Sequence, residues 1–219
     1  MLLLRPPGVY RPQHDTWLLA DVFRREVHAP GKHVLDICTG TGAVGVVAAS
    51  AGAASVTVVD VSRRALTAAW VNARVRGLRV TPRRGDLVEP VSDQRFDVIL
   101  TNPPYVPAAD DHLPTRGRAR AWEGGINGRA LLDRVCAEAP KVLAPGGTVL
   151  IVHSALCGVD QTVRQLAADG LDTTVAARAT VPFGPVMRGR ANLLESRGLI
   201  VLGERTEELV VIRAVKPVA

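Results

Sequence analysis

The segment Phe96-Asp97-Val98-Ile99-Leu100-Thr101-Asn102-Pro103-Pro104-Tyr105 runs from an apolar strand pattern into a stiff turn. Its apolar part has the Val, Ile and Leu content of a buried parallel strand, so a strand is predicted that ends near Thr101. Asn102 and Pro103 each precede a proline, which disfavours the helical region for both residues, and neither proline has an amide hydrogen to donate. The turn therefore presents acceptors, the Asn102 side-chain oxygen and the Pro103 carbonyl, beside the Tyr105 ring. We expect these groups to hold a planar NH2 group, because two acceptors take its two hydrogens and the ring stacks on its face.

Outward from this strand, the chain alternates apolar strand patterns with helical ones. Strands are predicted at residues 33–38, 55–60, 78–82, 96–101, 148–152, 173–178 and 209–215. Helices are predicted from 15 or 16 to 23 and at 42–50, 62–77, 127–143 and 159–168. This alternation of strands and helices predicts an α/β fold with a doubly wound, seven-stranded, mostly parallel sheet of the Rossmann-like kind and an antiparallel C-terminal edge.

Local signals set the predicted ends of these helices. Asp15 or Thr16 is expected to cap the first helix and Ser62 the third. Asn127 is expected to cap the fourth, which a Pro-Gly-Gly sequence after residue 144 ends. On the third helix, Trp70 is placed with the neighbouring alanines on the buried face.

Length and composition favour one globular domain. With 219 residues, 47% of them hydrophobic and 22% charged, the chain can bury a sizeable core. We divide it into a lead-in with a helix (1–30), a cofactor-binding and catalytic core (31–153) and a C-terminal part (154–219) with an Arg-rich insert at 182–197. The apolar residues 1–4 are too few for a signal peptide or a membrane span, so the cytoplasm is the expected location.

Charge and cysteine content narrow the possible functions. A net charge of +6 would suit a polyanionic neighbour, but arginine supplies nearly all of it, and the runs at 116–120 and 188–190 are more typical of solvated surface. The three cysteines are odd in number and widely spaced, which indicates reduced core residues without metal-ligand spacing. His112 beside two acids in a loop gives poor ligand geometry, so no metal site is expected.

Three acidic residues at successive strand ends indicate a cofactor site. Asp36 closes the first strand and leads into Cys38-Thr39-Gly40-Thr41-Gly42, whose glycines let a ligand approach the backbone closely. We call residues 38–42 the glycine turn. Asp60 ends the second strand, where an acid characteristically binds ribose hydroxyls. Asp86 follows the third strand and, with the Leu87 backbone amide as a donor, suits the exocyclic amine of adenine.

Parallel strands bring their carboxyl ends to one edge of the sheet, where open α/β sheets bind ligands. An acid before the glycine turn suits a cationic amino group better than a phosphate. Ribose, adenine and a cationic amino acid tail together indicate S-adenosylmethionine rather than a dinucleotide. Each acid alone is explained equally well as a helix cap or a surface charge, but the ordered set favours the site. The residues expected to bind this cofactor through the motif are Asp36, Cys38, Gly40, Gly42, Asp60, Asp86 and Leu87.

Two further segments extend the pattern to a known family. Residues 9–16 resemble a Tyr-x-Pro-x-x-Asp-Thr entry segment, and residues 121–129 resemble an Ala-Trp-x-Gly-Gly-x-Asn-Gly-Arg stretch. With the motifs above, the chain resembles class I S-adenosylmethionine-dependent methyltransferases, and within them the HemK family of glutamine methyltransferases that modify peptide-chain release factors. It is most similar to the short eukaryotic and archaeal branch, which lacks the N-terminal helical domain of the longer bacterial members.

The resemblance implies roles for individual residues. Contacts to the cofactor are implied for Thr16, Asp36, Asp60, Asp86 and Leu87, with Asn102 shared between cofactor and substrate. Asn102, Pro103 and Tyr105 would be the catalytic residues, which position a glutamine side-chain amide for methylation. The short branch also implies a small zinc-binding partner subunit on the sheet edge, whereas the insert at 182–197 lies outside the family pattern.

Two other functions stay open at this point. Adenine exocyclic amines in DNA or RNA are also planar NH2 groups, and nucleic-acid methyltransferases use a related Pro-Pro-aromatic turn, although no separate domain for base extrusion is evident here. A cofactor-binding module without catalysis is the second alternative, against which the intact Asn102 and Tyr105 argue.

Overall fold

The computed structural model describes residues 1–218 and is built on one seven-stranded sheet. The strands are β1 (His33–Ile37), β2 (Ser55–Asp60), β3 (Thr81–Arg84), β4 (Phe96–Thr101), β5 (Leu143–Ser154), β6 (Asp172–Pro182) and β7 (Thr206–Val215). The helices are α1 (His14–Glu26), α2 (Ala43–Ser50), α3 (Arg63–Arg74), α4 (Ala130–Val142), α5 (Val159–Ala168) and α6 (Pro185–Ser196).

The strands lie in the order β3-β2-β1-β4-β5-β7-β6. β1 pairs in parallel with β2 and β4, β3 with β2, and β5 with β4, whereas β7 is antiparallel to both β5 and β6. The predicted seven-stranded, doubly wound sheet with an antiparallel C-terminal edge is confirmed. The strand order reverses between β1 and β4, so the loops after these strands diverge and leave a crevice at their carboxyl ends.

Alternate residues of the central strands pack on opposite faces of the sheet. In β1, Val34 packs in the cluster that contains Phe23 of α1, while Leu35 packs in the cluster that contains Leu132 of α4 and Leu166 of α5. All of these side chains are fully buried. Because helices cover both faces, the central strands are apolar on both sides, which is why the sequence shows continuous apolar runs rather than alternation.

The first helix begins at His14, and the cap predicted for it is wrong. Gln13 occupies the N-cap position without a side-chain cap hydrogen bond, and Asp15 and Thr16 are buried in the first turn. Asp15 does not cap the helix because its carboxylate binds side chains of the neighbouring loops. Ser62 caps α3 as predicted, where its hydroxyl accepts from the amide of Ala65.

The predicted start and end of the fourth helix are also corrected. Arg129 is at the N-cap of α4, and the Asn127 side-chain oxygen instead accepts from the Arg129 amide at 3.0 Å, two residues along the chain. The helix ends at Val142, before the Pro-Gly-Gly sequence, because Leu143 is already extended and pairs with Phe96 of β4.

Two smaller predictions fail for packing reasons. Trp70 is 49% exposed, because it lies about a third of a turn from the centre of the buried face of α3. The third strand starts at Thr81 rather than at residue 78, since the Leu78 amide first closes the end of α3 by donating to the Ala73 carbonyl.

The Arg-rich insert, for which the sequence pattern predicts no helix, forms α6. Met187, Ala191 and Leu194 of this helix are buried in a third apolar cluster with Val106 and Phe183. The insert therefore packs on the loop that follows β4.

Candidate active site

A cavity of about 410 Å³ opens at the carboxyl ends of β1, β2 and β4. This volume lies in the range of small-molecule sites. Residues 38–41 of the glycine turn border it, and so do residues 102–105, which we call the acceptor turn. The cavity therefore brings together the two motifs that the sequence separates by about 60 residues.

Gly42 is the one glycine of the predicted set that does not border this cavity. Its φ is +76°, and a Cβ added there would lie 2.6 Å from the Cβ of Ala69 on α3. Gly42 is thus required for the close approach of α2 to α3, and it shapes the glycine turn indirectly.

Asp36 supports the glycine turn from behind. Its carboxylate, 2% exposed, accepts from the Thr39 hydroxyl at 2.6 Å and from the Gly45 amide at 3.0 Å through the same oxygen. Burial raises the pKa of Asp36 to about 7, although these two hydrogen bonds oppose the shift. The side chain borders the cavity and at the same time holds the turn against the start of α2.

Asp60 and Asp86 lie at the other strand ends, as predicted. Asp60 accepts from the Gly40 amide at 3.1 Å and from the Ser62 amide at 2.8 Å, one with each carboxylate oxygen, and burial raises its pKa. Asp86 is about half exposed, and one of its oxygens accepts from the Arg134 guanidinium at 2.9 Å. Each carboxylate oxygen carries two lone pairs, so both acids keep acceptor capacity for a ligand.

Two residues of the cavity wall adopt the left-handed region that L side chains rarely occupy. The φ of Cys38 is 57° and that of Leu87 is 47°. Backbone strain of this kind concentrates at ligand sites, because the surrounding packing has to enforce it. Burial raises the pKa of the Cys38 thiol, so the protonated thiol contributes a wall and not a nucleophile.

Asp15, which the sequence analysis named as a possible helix cap and as part of the entry segment but gave no role in the site, organises the acceptor turn. One of its oxygens accepts from the Tyr10 hydroxyl at 2.9 Å, from Nδ2 of Asn102 at 2.9 Å and from the Tyr105 hydroxyl at 3.0 Å. Nδ2 of Asn102 is also 3.4 Å from the hydroxyl of Thr16. The Tyr-x-Pro-x-x-Asp-Thr motif carried the signal for Asp15, because the family pattern places an acid there.

The segment 121–129 lies beside the acceptor turn. Val106 donates to the Trp122 carbonyl at 2.8 Å and accepts from the Gly124 amide at 2.9 Å, and Ala108 donates to the Gly125 carbonyl at 2.8 Å. Gly128 has a φ of +75°, and a Cβ there would collide with the Tyr105 carbonyl. The segment is therefore packed too closely on the acceptor turn for any side chain at residue 128.

Arg129 ends this segment and is 2% exposed. Its guanidinium donates to the carbonyls of Cys157 at 2.5 Å and Gly158 at 3.1 Å, to the hydroxyl of Thr162 at 3.1 Å and to the carboxylate of Asp133. A buried charge this fully hydrogen-bonded fixes the segment to the start of α5. The motif arginine, Arg129, therefore has a structural role in joining segment 121–129 to α5.

The cavity is rich in acids. Five carboxylates border it against two arginines, and no lysine among the described residues does so. Apolar walls come from residues such as Val61, Leu87 and Leu131. Acids together with flat apolar surface suit a cationic ligand that carries a nucleoside and disfavour one that carries a polyphosphate.

Comparison with known proteins agrees with this geometry. The family described as "Methyltransferase small domain" matches residues 3–116. The chain belongs to the methyltransferase small domain family. A putative protein N5-glutamine methyltransferase of Methanocaldococcus jannaschii is 36% identical over 181 residues, which cover 83% of this chain and 90% of that protein.

A release factor glutamine methyltransferase of Geobacter sulfurreducens is 39% identical over 152 residues, and the match spans about half, 53%, of its length. Among solved structures, the E. cuniculi Mtq2-Trm112 complex, responsible for methylation of the eRF1 translation termination factor, matches with a TM-score of 0.67 at 22% identity. That match covers 95% of this chain and 99% of that one, and it shows that the two chains share the same fold. Together these findings confirm the resemblance to the HemK family and the prediction that the protein is a methyltransferase.

A histidine and the three cysteines have side chains that could act as ligands or as acids and bases. His153 is fully buried, its Nδ1 is 2.8 Å from the Ser154 carbonyl, and burial lowers its pKa to about 4, so it is a neutral core histidine. Cys38, Cys136 and Cys157 are free thiols. Within residues 1–218, no cluster of three His, Cys, Asp or Glu side chains is arranged to hold a metal ion. None of the helices in that range has the length and apolar character needed to cross a membrane.

Proposed function

We propose that this methyltransferase transfers a methyl group from S-adenosylmethionine to the side-chain amide nitrogen of a glutamine, in the Gly-Gly-Gln motif of a peptide-chain release factor. The observation that carries the proposal is the single cavity shared by the glycine turn and the acceptor turn. The names of the relatives, protein N5-glutamine methyltransferase and release factor glutamine methyltransferase, support the choice of substrate. A release-factor substrate would put the reaction in the cytoplasm.

The cavity lining fits S-adenosylmethionine. Asp60 at the end of β2 suits the ribose hydroxyls, and Asp86 with the Leu87 amide suits the adenine. Asp36 and the glycine turn suit the cationic amino acid end. The Thr41 hydroxyl is buried in this turn with no hydrogen-bond partner among residues 1–218, so a donor remains for a ligand carboxylate. When bound, S-adenosylmethionine supplies an electrophilic methyl carbon on a positively charged sulfur.

The acceptor turn positions the nucleophile. An amide nitrogen is weakly nucleophilic because its lone pair is delocalised into the carbonyl group. The Asn102 side-chain oxygen and the Pro103 carbonyl accept its two hydrogens, and orientation of this kind can supply roughly 7–11 kcal/mol. The same acceptors stabilise the positive charge that develops on nitrogen. A cationic methylated amide is a strong acid, so its proton leaves without a strong base.

The buried position of Tyr105 contributes to this site. The residue is 7% exposed, and burial together with the nearby Asp15 carboxylate raises the pKa of its phenol. The phenol is therefore neutral and donates to Asp15, while the buried ring forms a wall beside the turn. Exclusion of water strengthens the hydrogen bonds to the substrate amide.

The exocyclic amine of adenine in DNA or RNA is the alternative substrate. Arg120 borders the cavity, and Arg116 and Arg118 precede it, which would suit a phosphate backbone. The five carboxylates of the lining oppose the approach of a polyanion, so we favour the protein substrate.

We also propose a small zinc-binding activator subunit, which the family resemblance implies; the solved structure of similar fold is likewise a complex of two proteins, Mtq2 and Trm112. β3 is an edge strand, and all four of its residues are exposed. The adjacent α3 leaves Trp70 49% exposed, and Val75 just after it 71%. An edge strand beside exposed apolar side chains is available for pairing with a second chain.

The test is methyl transfer from labelled S-adenosylmethionine to a release-factor domain with an intact Gly-Gly-Gln motif. Matched samples contain the same domain with Gly-Gly-Ala, adenine-containing oligonucleotides, or no acceptor, each with and without a candidate activator subunit. Label on the Gly-Gly-Gln domain alone supports the proposal. Label on the oligonucleotide alone supports the alternative, and cofactor binding without any transfer would indicate a non-catalytic module.

A further inference from the structure

The Asp15 carboxylate accepts hydrogen bonds from side chains of two separate loops as well as from the first turn of its own helix. It is 3% exposed, and one carboxylate oxygen receives donors from Tyr10, Asn102 and Tyr105 at 2.9 to 3.0 Å. The other oxygen accepts from the amide of Thr16 at 2.6 Å and from its hydroxyl at 3.1 Å. The carboxylate thus joins the entry segment to a turn 87 residues further along the chain.

The chemistry of a carboxylate determines how its neighbour must point. An ionised carboxylate only accepts hydrogen bonds, whereas the side-chain amide of asparagine has a donor end and an acceptor end. Asn102 must therefore turn its NH2 group towards Asp15. Its amide oxygen then points away from Asp15 and remains available in the cavity, where the substrate amide would need an acceptor. Tyr10 and Tyr105 add to this constraint, because burial raises the pKa of both phenols and keeps them as donors.

We propose that Asp15 is a positioning residue that sets the orientation of the Asn102 amide, so that the oxygen and not the NH2 group is presented to the methyl-accepting nitrogen. This inference rests on the proposed function for its catalytic consequence. The orientation itself is a property of the chain alone, and it can be measured without cofactor or substrate.

Replacing Asp15 by asparagine should invert Asn102. The new side chain has one oxygen and one NH2 group, and the backbone amide of Thr16 is a fixed donor that only an oxygen can face. The NH2 group must then occupy the other position, where it donates to Asn102 and turns the Asn102 oxygen away from the cavity. The tyrosine hydroxyls adapt by rotation, since they can also accept.

The activity test compares two substitutions of Asp15. We expect kcat to fall by about 100-fold in Asp15→Asn, the loss associated with removing one preorganised hydrogen-bond partner of the reacting group. In Asp15→Ala the Asn102 amide is released but not inverted, so we expect a smaller loss of about 10-fold. Affinity for S-adenosylmethionine should stay within a few-fold in both. A purely structural role predicts the reverse order, because the isosteric change preserves packing.

A double variant in which the two side chains are exchanged tests whether the lost activity can be restored. When Asp15→Asn is combined with Asn102→Asp, the carboxylate introduced at the acceptor turn accepts from the amide introduced on α1 through one oxygen and presents the other to the substrate. We expect this double variant to recover about 10-fold in kcat over Asp15→Asn alone, since interacting sites are not additive. Asp21→Asn on the same helix is the matched control, because Asp21 is exposed and pairs with Arg24 at the surface.

The orientation is read directly by NMR on the protein without ligands. The Asn102 side-chain NH2 signals are assigned by their loss in Asn102→Ala. In the wild-type protein we expect slow exchange of these hydrogens with water, and at least about tenfold faster exchange in Asp15→Asn, where they face the cavity. Unchanged exchange, or equal kcat in the two Asp15 variants with no recovery in the double variant, would overturn the inference. Protected hydrogens in a wild-type protein that methylates no glutamine would instead reject the proposed function alone.

Discussion

In the acceptor turn, the nitrogen and the oxygen of the Asn102 side-chain amide have different roles. The nitrogen of Asn102 is held by Asp15 and Thr16, which are buried in the first turn of α1. The oxygen of the same group and the carbonyl of Pro103 are the acceptors that the sequence pattern predicted. Opposite the Asp15 carboxylate an asparagine suits this position, because its side-chain amide is held at one end as a donor and used at the other as an acceptor.

Asn102→Ala removes one of the two acceptors proposed for the substrate amide. We expect methyl transfer to fall by roughly 100-fold or more, since a preorganised partner of the reacting group is lost. Affinity for S-adenosylmethionine, measured by calorimetry, should change only a few-fold, because the three strand-end acids are intact. Asn192→Ala, an exposed position on α6, is the control. Normal turnover in Asn102→Ala would remove this residue from the mechanism.

At the scale of elements, α6 connects to both sides of the loop that carries the acceptor turn. Arg197, at the C-cap of α6, donates to the carbonyls of Ala108 and Ala109, both at 2.7 Å, and to that of Ile126 at 3.3 Å. Arg190 forms an ion pair with Glu123, which borders the cavity. Of the two insert arginines that the sequence analysis assigned to solvated surface, Arg190 instead holds the loop, whereas Arg188 is exposed as expected.

Arg197→Ala should loosen the loop without altering the cofactor side of the cavity. Three carbonyls lose a charged donor, which is worth on the order of 2 kcal/mol in loop ordering. We expect the KM for the protein substrate to rise about tenfold while affinity for S-adenosylmethionine is retained. Steady-state kinetics with the Gly-Gly-Gln domain measures this, with Arg188→Ala as the control on the same helix. Equal KM values for the two variants would show that α6 does not order the substrate loop.

For the whole molecule, buried acids make stability depend on pH. Burial raises the pKa of Asp36 to about 7 and that of Glu207 to about 7. One oxygen of Glu207 has no hydrogen-bond partner within residues 1–218. The folded chain binds these protons more tightly than the unfolded chain, whose carboxyls titrate near pH 4. The contribution of these two acids to stability is therefore greatest below about pH 4 and is lost as pH rises through about 7. His153 acts in the opposite direction: its lowered pKa costs stability as pH falls from about 6.5 to 4.

Glu207→Gln should remove the cost of ionising a buried carboxylate. At pH 8 we expect the free energy of unfolding to exceed that of the wild type by on the order of 2 kcal/mol, and at pH 4 the two proteins should differ little. Urea denaturation at the two pH values measures the difference. Glu208→Gln serves as the control, since its carboxylate is more exposed and pairs with Arg178. A stabilisation that is the same at both pH values would contradict the assignment of the effect to Glu207 ionisation.

The sequence by itself determined the sheet, the order of its elements except for α6, and the two turns that meet in the cavity. These follow from short-range chemistry: apolar runs of strand length, acids at strand ends, glycines that allow positive φ, and a proline pair that excludes helix. Helix ends and the third strand were predicted less well. Leu143 and Leu78, for example, take their conformation from a strand partner and a helix end that the local sequence does not reveal.

Only the tertiary structure decided how the acceptor turn is held. Asp15 is 87 residues from Asn102 and 90 from Tyr105 in the chain, and α6 reaches its carbonyl partners across a gap of up to 89 residues. Contacts of this range depend on how the sheet brings loop ends together, and no local pattern encodes them. For this reason the motifs predicted the chemistry of the site, whereas the hydrogen bonds that orient it became visible only in the folded chain.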